Sequence, residues 1–177
     1  LRQASLRANA EIQAGAQGAA SGEFIRNLAG RVIFDSRKDP ANKRTLELIN
    51  KTNQFNLNGV RLSEGEWLQH LTDPDSVVLS VAYEDKFGPL GPIGVLSGRR
   101  NEDEVEVTSW VLSCRAFSRK IEDHILHHLF AEQSVGKVRL AYRPTERNQP
   151  LQSYLASLNV ESNGDDAFIT REQFLDN

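Results

Sequence analysis

At 177 residues with a formal charge of −3, the chain is the size of one domain with a proper hydrophobic core, and it lacks the basic excess of a general nucleic-acid binder. No apolar run approaches a membrane span and no signal peptide opens the sequence, so no membrane partner is expected. The single cysteine, Cys114, cannot form an internal disulfide, which makes a reducing cytoplasm the expected compartment. The chain begins at Leu1 and contains no Met, as expected of a piece of a longer protein.

Residues 1–28 are Ala/Gln/Arg-rich and helix-permissive, without a convincing core face. They are expected to be linker helices from an upstream domain, with Ser21 capping a short helix anchored by Phe24, Ile25 and Leu28. The domain itself is expected to run from 29 to 177. Arg31 to Phe34 forms a first short strand. Asp39-Pro40 supplies an N-cap and a first-turn proline for a helix that carries Leu46 and Ile49 and runs out near Thr52. Four amides, Asn53, Gln54, Asn56 and Asn58, then surround Phe55 at the helix end. Such a cluster either pins a loop by side-chain-to-backbone hydrogen bonds or lines a pocket and reads a polar substrate. Ser63-x-x-Glu66 is a capping box for a second helix, with Trp67, Leu68 and Leu71 on its buried side, and Asp73-Pro74-Asp75 stops it.

Ser76 to Tyr83 alternates as a strand, Glu84 to Pro92 is a Gly/Pro turn, and Ile93 to Ser97 is the returning strand. After a turn over Gly98 to Asp103 comes the stretch that organises the rest. Val105 to Ser113 is dense in β-branched residues and alternates, with Glu106, Thr108, Trp110 and Leu112 on one side. A short polar-basic loop, Cys114 to Ser118, follows. From Arg119 the period becomes helical, with Ile121, Ile125, Leu126, Leu129 and Phe130 forming an apolar stripe. Strand, short loop and helix point unpaired helix N–H groups out of the loop, and Arg115, Arg119 and Lys120 add positive charge, so an anion such as phosphate is favoured there. A plain basic surface turn has the same composition.

A strand over Val138 to Tyr142, a helix over Asn148 to Leu158, and a hairpin around residues 163–166 complete the chain. The predicted class is α/β: a mixed, mostly antiparallel sheet with helices on both faces and a cleft after the central strand. Cys114 lies beside Arg115, Arg119 and Lys120, surroundings that favour a nucleophilic thiolate; a lone strand-end cysteine is also commonly inert. Glu106 alternates towards the cleft and is the candidate general base. His124 and His128 are spaced to share a metal, but no carboxylate or thiol completes the set, so no metal is expected.

The element order resembles the GNAT acyltransferase fold. Four segments more specifically resemble the C-terminal region of FkbH-like proteins: KTNQFNL (51–57), DKFG (85–88), LSCRAFSR (112–119) and YRPTERN (142–148). Proteins of that family carry an upstream phosphatase-like (HAD) domain and load a glyceryl group onto an acyl carrier protein, feeding methoxymalonyl-type polyketide extender units. The resemblance implies that carrier and upstream domain as partners, and coenzyme A or carrier-bound phosphopantetheine as cofactor. It places Arg115, Ser118, Arg119 and Lys120 on the pyrophosphate loop, of pattern Arg/Gln-x-x-Gly-x-Gly/Ala, with Ser118 and Lys120 departing at its small positions. It also places Tyr154 where many such enzymes keep a tyrosine that protonates the leaving thiolate, with Asn148 just before it. Tyr154 as a core residue and Asn148 as a helix N-cap remain the alternatives. The implied function is assistance in acyl transfer, through catalysis by Cys114, Tyr154 and Glu106 or through binding of the carrier or its arm. A coenzyme A-dependent N-acetyltransferase is the other reading.

Overall fold

The computed structural model describes residues 29–163 and 165–176; the expected linker helices lie outside the described residues. In chain order the elements are β1 (Arg31–Asp35), α1 (Lys43–Lys51), β2 (Phe55–Asn56), α2 (Glu64–Thr72), β3 (Ser76–Asp85), β4 (Gly88–Asn101) and β5 (Glu104–Leu112). A 3-10 turn (Cys114–Ala116), α3 (Ile121–Gln133), β6 (Lys137–Leu140), α4 (Gln149–Ser157), β7 (Glu161–Ser162), β8 (Ala167–Thr170) and α5 (Arg171–Leu175) follow. They build one sheet in the order β1-β3-β4-β5-β6-β8-β7, with β2 added to β5. Among the described residues only β5 and β6 run parallel, because α3 crosses over between them. The mixed, mostly antiparallel sheet of the sequence reading is therefore present.

Helices cover both faces. On one, Ile121, Ile125, Leu126, Leu129 and Phe130 of α3 and Leu151 and Leu155 of α4 pack on Leu79, Val81, Val105, Val107, Trp110 and Leu112. On the other, Leu48 and Ile49 of α1 and Trp67 and Leu71 of α2 pack on Val78, Val95 and Val111. The capping box at Ser63 and Glu66 is made in both directions.

The central strand departs from the simple alternation expected of it. Ser97 pairs with Ser109 but Gly98 pairs with Val107, leaving Thr108 as an extra residue in β5. The bulge reverses the phase: Val105 and Val107 share a core face with Trp110 and Leu112, not with Val111. Gly98 opposite the bulge admits no side chain, since a Cβ there would stand 1.9 Å from the Glu106 carbonyl oxygen. Other boundaries also shift. Asp39 forms a turn, accepting the Ala41 N–H, and α1 starts four residues later with Asn42 at its N-cap. The β3–β4 connection shrinks to Lys86–Phe87, because Gly88 at φ 109° and Gly91 at φ 69° let β4 start early. Leu68 faces outward, 39% exposed.

Candidate functional site

Strands β5 and β6 pair only from Glu104–Lys137 to Val107–Leu140. The Ala141 N–H still donates to the Val107 carbonyl at 2.9 Å; beyond it the two strands part. The bulge at Thr108 sits where the split begins. An open split would leave the β5 edge from Trp110 to Leu112 free to pair with an extended ligand. Here the chain fills it. Phe55 pairs with Leu112 and Asn56 with Val111, and the Leu57 N–H donates to the Trp110 carbonyl at 3.0 Å. From the other wall, the Arg143 N–H donates to the Leu57 carbonyl at 3.1 Å. Asn58 Nδ2 closes the base of the split, donating to the carbonyls of Thr108 and Ala141 at 2.9 Å each.

Aromatic packing and amides hold this insert. The Phe55 ring lies 5.3 Å from Trp110, 5.9 Å from Tyr154 and 6.5 Å from Phe117. Trp110 is fully buried, and its indole N–H has no hydrogen-bond partner among the described residues. Asn148, also fully buried, donates from Nδ2 to the carbonyls of Asn56 and Arg143, both at 2.9 Å, while its Oδ1 accepts from the Thr145 N–H and from Gln152. It stands at the N-cap position of α4 without capping that helix with its side chain. Asn56 Oδ1 accepts the N–H groups of Asn58 and Gly59. Asn53 accepts from Arg61, whose guanidinium also takes the Ile49 and Thr52 carbonyls at the end of α1. Of the four expected substrate-binding residues, Asn53, Phe55 and Asn56 are thus engaged within the chain, and Gln54 is exposed.

The loop after β5 keeps part of its expected character. Cys114 is exposed at the start of the 3-10 turn. The Arg115 guanidinium lies against the Ser113 hydroxyl at 3.4 Å and the Pro92 carbonyl at 3.5 Å. Ser118 and Lys120 adopt left-handed backbone, φ 67° and 55°, the region that glycine enters without steric cost. Arg119, expected to face an anion, turns inward. Its Nε meets Asp85 Oδ2 at 3.2 Å with both side chains only 1% exposed, its Nη1 donates to the Arg115 carbonyl, and it lies over the Tyr83 ring. Burial, with the Asp85 carboxylate beside it, pushes the Tyr83 hydroxyl up to about 12. The exposed cation of the loop is Lys120, with Arg115 half-buried.

The Tyr154 hydroxyl donates to Asp123 in the first turn of α3, at 2.8 Å. Burial, reinforced by that carboxylate, holds its pKa far above the usual phenol value. Glu122 alongside is pushed up by burial. The α3 N-terminus therefore already has two carboxylates beside it. Glu106 lies on the opposite sheet face from the Phe55–Tyr154 cluster. It pairs with Arg139, which also binds Glu104 at 2.9 Å, and borders a cavity of about 590 Å³ lined by His70, Asp73, Asp75, Arg99 and Thr108. The structure does not gather Cys114, Tyr154 and Glu106 around one point: Cys114 is on the surface, Tyr154 is within the cluster, and Glu106 is across the sheet.

The histidines are dispersed among other contacts. His128 stacks on Phe34 at 4.0 Å and His127 packs on Phe174. Among the described residues no group of three His, Cys, Asp or Glu side chains is placed to hold a metal, and no helix is long and apolar enough to cross a membrane. Sequence reasoning missed Asp85, Asp123, Arg139 and Arg61 as the partners of its candidates. Asp85 of the DKFG segment is the buried counter-ion of Arg119 in LSCRAFSR. TNQFN and YRPTERN are joined in the same way, through Asn56 and Asn148.

No family model and no curated protein matches the chain. Solved structures do. A domain from Methanocaldococcus jannaschii aligns with a TM-score of 0.57 at 11% identity, over 80% of this chain and 99% of that one. A spermidine N-acetyltransferase from Vibrio cholerae, in complex with coenzyme A and spermine, aligns at 0.52 and 16%, over 81% and 98%. The PaiA N-acetyltransferase from Thermoplasma acidophilum, in complex with coenzyme A, aligns at 0.51 and 12%, over 79% and 96%. The chain has the GNAT acetyltransferase fold.

Proposed function

We propose that this chain is a GNAT-fold module of an acyl- or glyceryl-transfer system. In this reading it binds an acyl carrier protein and its phosphopantetheine arm and assists loading of that arm, alongside an upstream phosphatase-like domain, as in the FkbH-like supply of methoxymalonyl-type extender units. One observation carries the reading. The strand edge that an extended, amide-bearing arm would pair with is held by Phe55–Asn58 of the chain itself. An enzyme turning over freely diffusing coenzyme A gains nothing from a slot that must be vacated at each cycle. A module that engages one tethered arm has the carrier's own binding energy to displace the insert. The buried Trp110 indole N–H in the same cluster has no partner among the described residues, and a buried donor gains from an added acceptor. Tyr154 bound to Asp123 and Glu106 bound to Arg139 favour recognition over independent acid–base chemistry.

The alternative is a coenzyme A-dependent N-acetyltransferase. Ser118 and Lys120 favour it, because they already hold the left-handed backbone that the glycine-patterned phosphate loop requires. Calorimetric titration with coenzyme A and, separately, with a phosphopantetheinylated carrier protein decides between them. Carrier binding without coenzyme A binding is the expected result. Tight coenzyme A binding that weakens in Arg115→Ala would establish the alternative.

A further inference from the structure

We propose that the outer edge of β1 pairs with β1 of a second copy of this chain. The two strands run antiparallel about a two-fold axis at Ile33, so that one sheet continues through both copies. The pairing stands apart from the carrier reading. Strands β3 and β4 lie between β1 and β5, so it leaves the Phe55–Asn58 insert and the 113–120 loop as they are.

β1 is a five-residue strand, Arg31–Asp35, paired on one side with β3 from Arg31–Glu84 to Asp35–Ser80. Among the described residues its other side pairs with no strand. Such a row of N–H and C=O groups is a template for another chain, and edges that stay single are blunted by shortness, proline, a bulge or an inward charge. The opposite edge of the sheet obeys that rule, because β7 is only two residues long and both are exposed. β1 does not. It contains no proline, and its register with β3 runs without the shifts found between β3 and β4 and between β4 and β5. Its central side chain, Ile33, is 40% exposed beside a cavity of about 170 Å³.

The order of residues in the strand selects the partner. Residues directly opposite in a sheet point to the same face, so a two-fold axis normal to it sets one residue against its own copy. With Ile33 at the axis all five residues pair. Ile33 meets Ile33, each Val32 meets Phe34, and each Arg31 meets Asp35 of the other copy. Moving the axis by one residue drops two residues of β1 from the pairing and parts Arg31 from Asp35. On the α3 face, Val32 and Phe34 already pack on the core, with Phe34 stacked on His128 at 4.0 Å, and the second copy extends that apolar row. On the other face Arg31 now meets Glu84 at 3.6 Å and Asp35 meets Arg37 at 2.7 Å, both at the surface. Neither pair exhausts its groups, since a guanidinium has several donors and a carboxylate several acceptor positions. Across the axis the charges then run Glu84, Arg31 and Asp35 of the second copy, alternating in sign, an arrangement that favours pairing.

The test is sedimentation velocity of the full chain over a range of concentrations, which should show a monomer passing to a dimer. Arg31→Asp and Asp35→Arg should each raise the dimer Kd by about tenfold or more, because each sets like charges opposite one another at both ends of the strand. Mixed in equal amounts, the two variants should recover dimerisation as a heterodimer, since one carries only carboxylates at the two positions and the other only guanidiniums. In the unsubstituted chain, amide hydrogen exchange over residues 31–35 should slow as concentration rises. A chain that stays monomeric, a dimer without that slowing, or a dimer indifferent to both substitutions would overturn the proposal. So would variants that unfold at the same temperature as the unsubstituted chain yet fail to recover on mixing.

Discussion

Asp85 and Arg119 meet at 3.2 Å with both side chains 1% exposed, joining the hairpin that ends β3 to the loop that leaves β5. Two charges this far from water are tolerated because each has further partners: the Phe87 N–H for Asp85, and the Arg115 carbonyl and Tyr83 ring for Arg119. Removing one strands the other. Asp85→Ala is expected to lower the unfolding free energy by about 3–5 kcal/mol, read from urea denaturation. A paired replacement of both residues by apolar ones should cost much less.

The same cluster sets an alkaline limit. Tyr83, at about 12 in the folded state against 10.0 ordinarily, binds its proton more tightly when folded. Its contribution is whole below pH 10 and is lost as pH rises from about 10 to 12, roughly 3 kcal/mol in all. Tyr83→Phe should flatten that part of the stability profile. An unchanged alkaline slope in the variant would show that another group is responsible.

Tyr154→Phe separates structure from catalysis. With its hydroxyl on Asp123 and its proton held above the usual phenol range, Tyr154 is expected to act as a core tyrosine. Substitution should cost about 1 kcal/mol of stability and lower any transfer rate supported by the chain less than tenfold. Loss of a general acid would cost about 10²–10⁴ in rate.

Ser118 and Lys120 bear the cost of left-handed backbone without being glycine. Ser118→Gly and Lys120→Gly should each raise stability by about 0.5–1 kcal/mol. They also restore the small positions of the phosphate loop. A gain in coenzyme A affinity on top of the gain in stability would count for the acetyltransferase reading.

Most strands and both central helices were legible, because apolar periodicity and the Ser63–Glu66 box are local signals. The bulge at Thr108 was not. A one-residue insertion leaves the composition of β5 intact and shows only in which side chains share a face. β2 was invisible for a related reason: two residues among amides carry no period, and what makes Phe55–Asn56 a strand is the edge of β5, far along the chain. The three loop cations read as an anion site because sequence adjacency says nothing about Asp85, which draws Arg119 inward. The amide cluster was readable as a choice between pinning and ligand reading, and Asn53, Asn56 and Asn58 do the pinning.

The insert also fixes an order of events during synthesis. Phe55 and Leu57 leave the ribosome early, yet the walls they dock between, Trp110–Leu112 and Arg143, emerge much later. Until then an apolar segment able to pair with any strand edge has to wait undocked. Asn53, Gln54, Asn56 and Asn58, interleaved with Phe55 and Leu57, suit that wait by keeping the segment hydrated. Asn53, Asn56 and Asn58, which lock the insert in place in the folded chain, are thus the same polar groups that lower its tendency to pair beforehand.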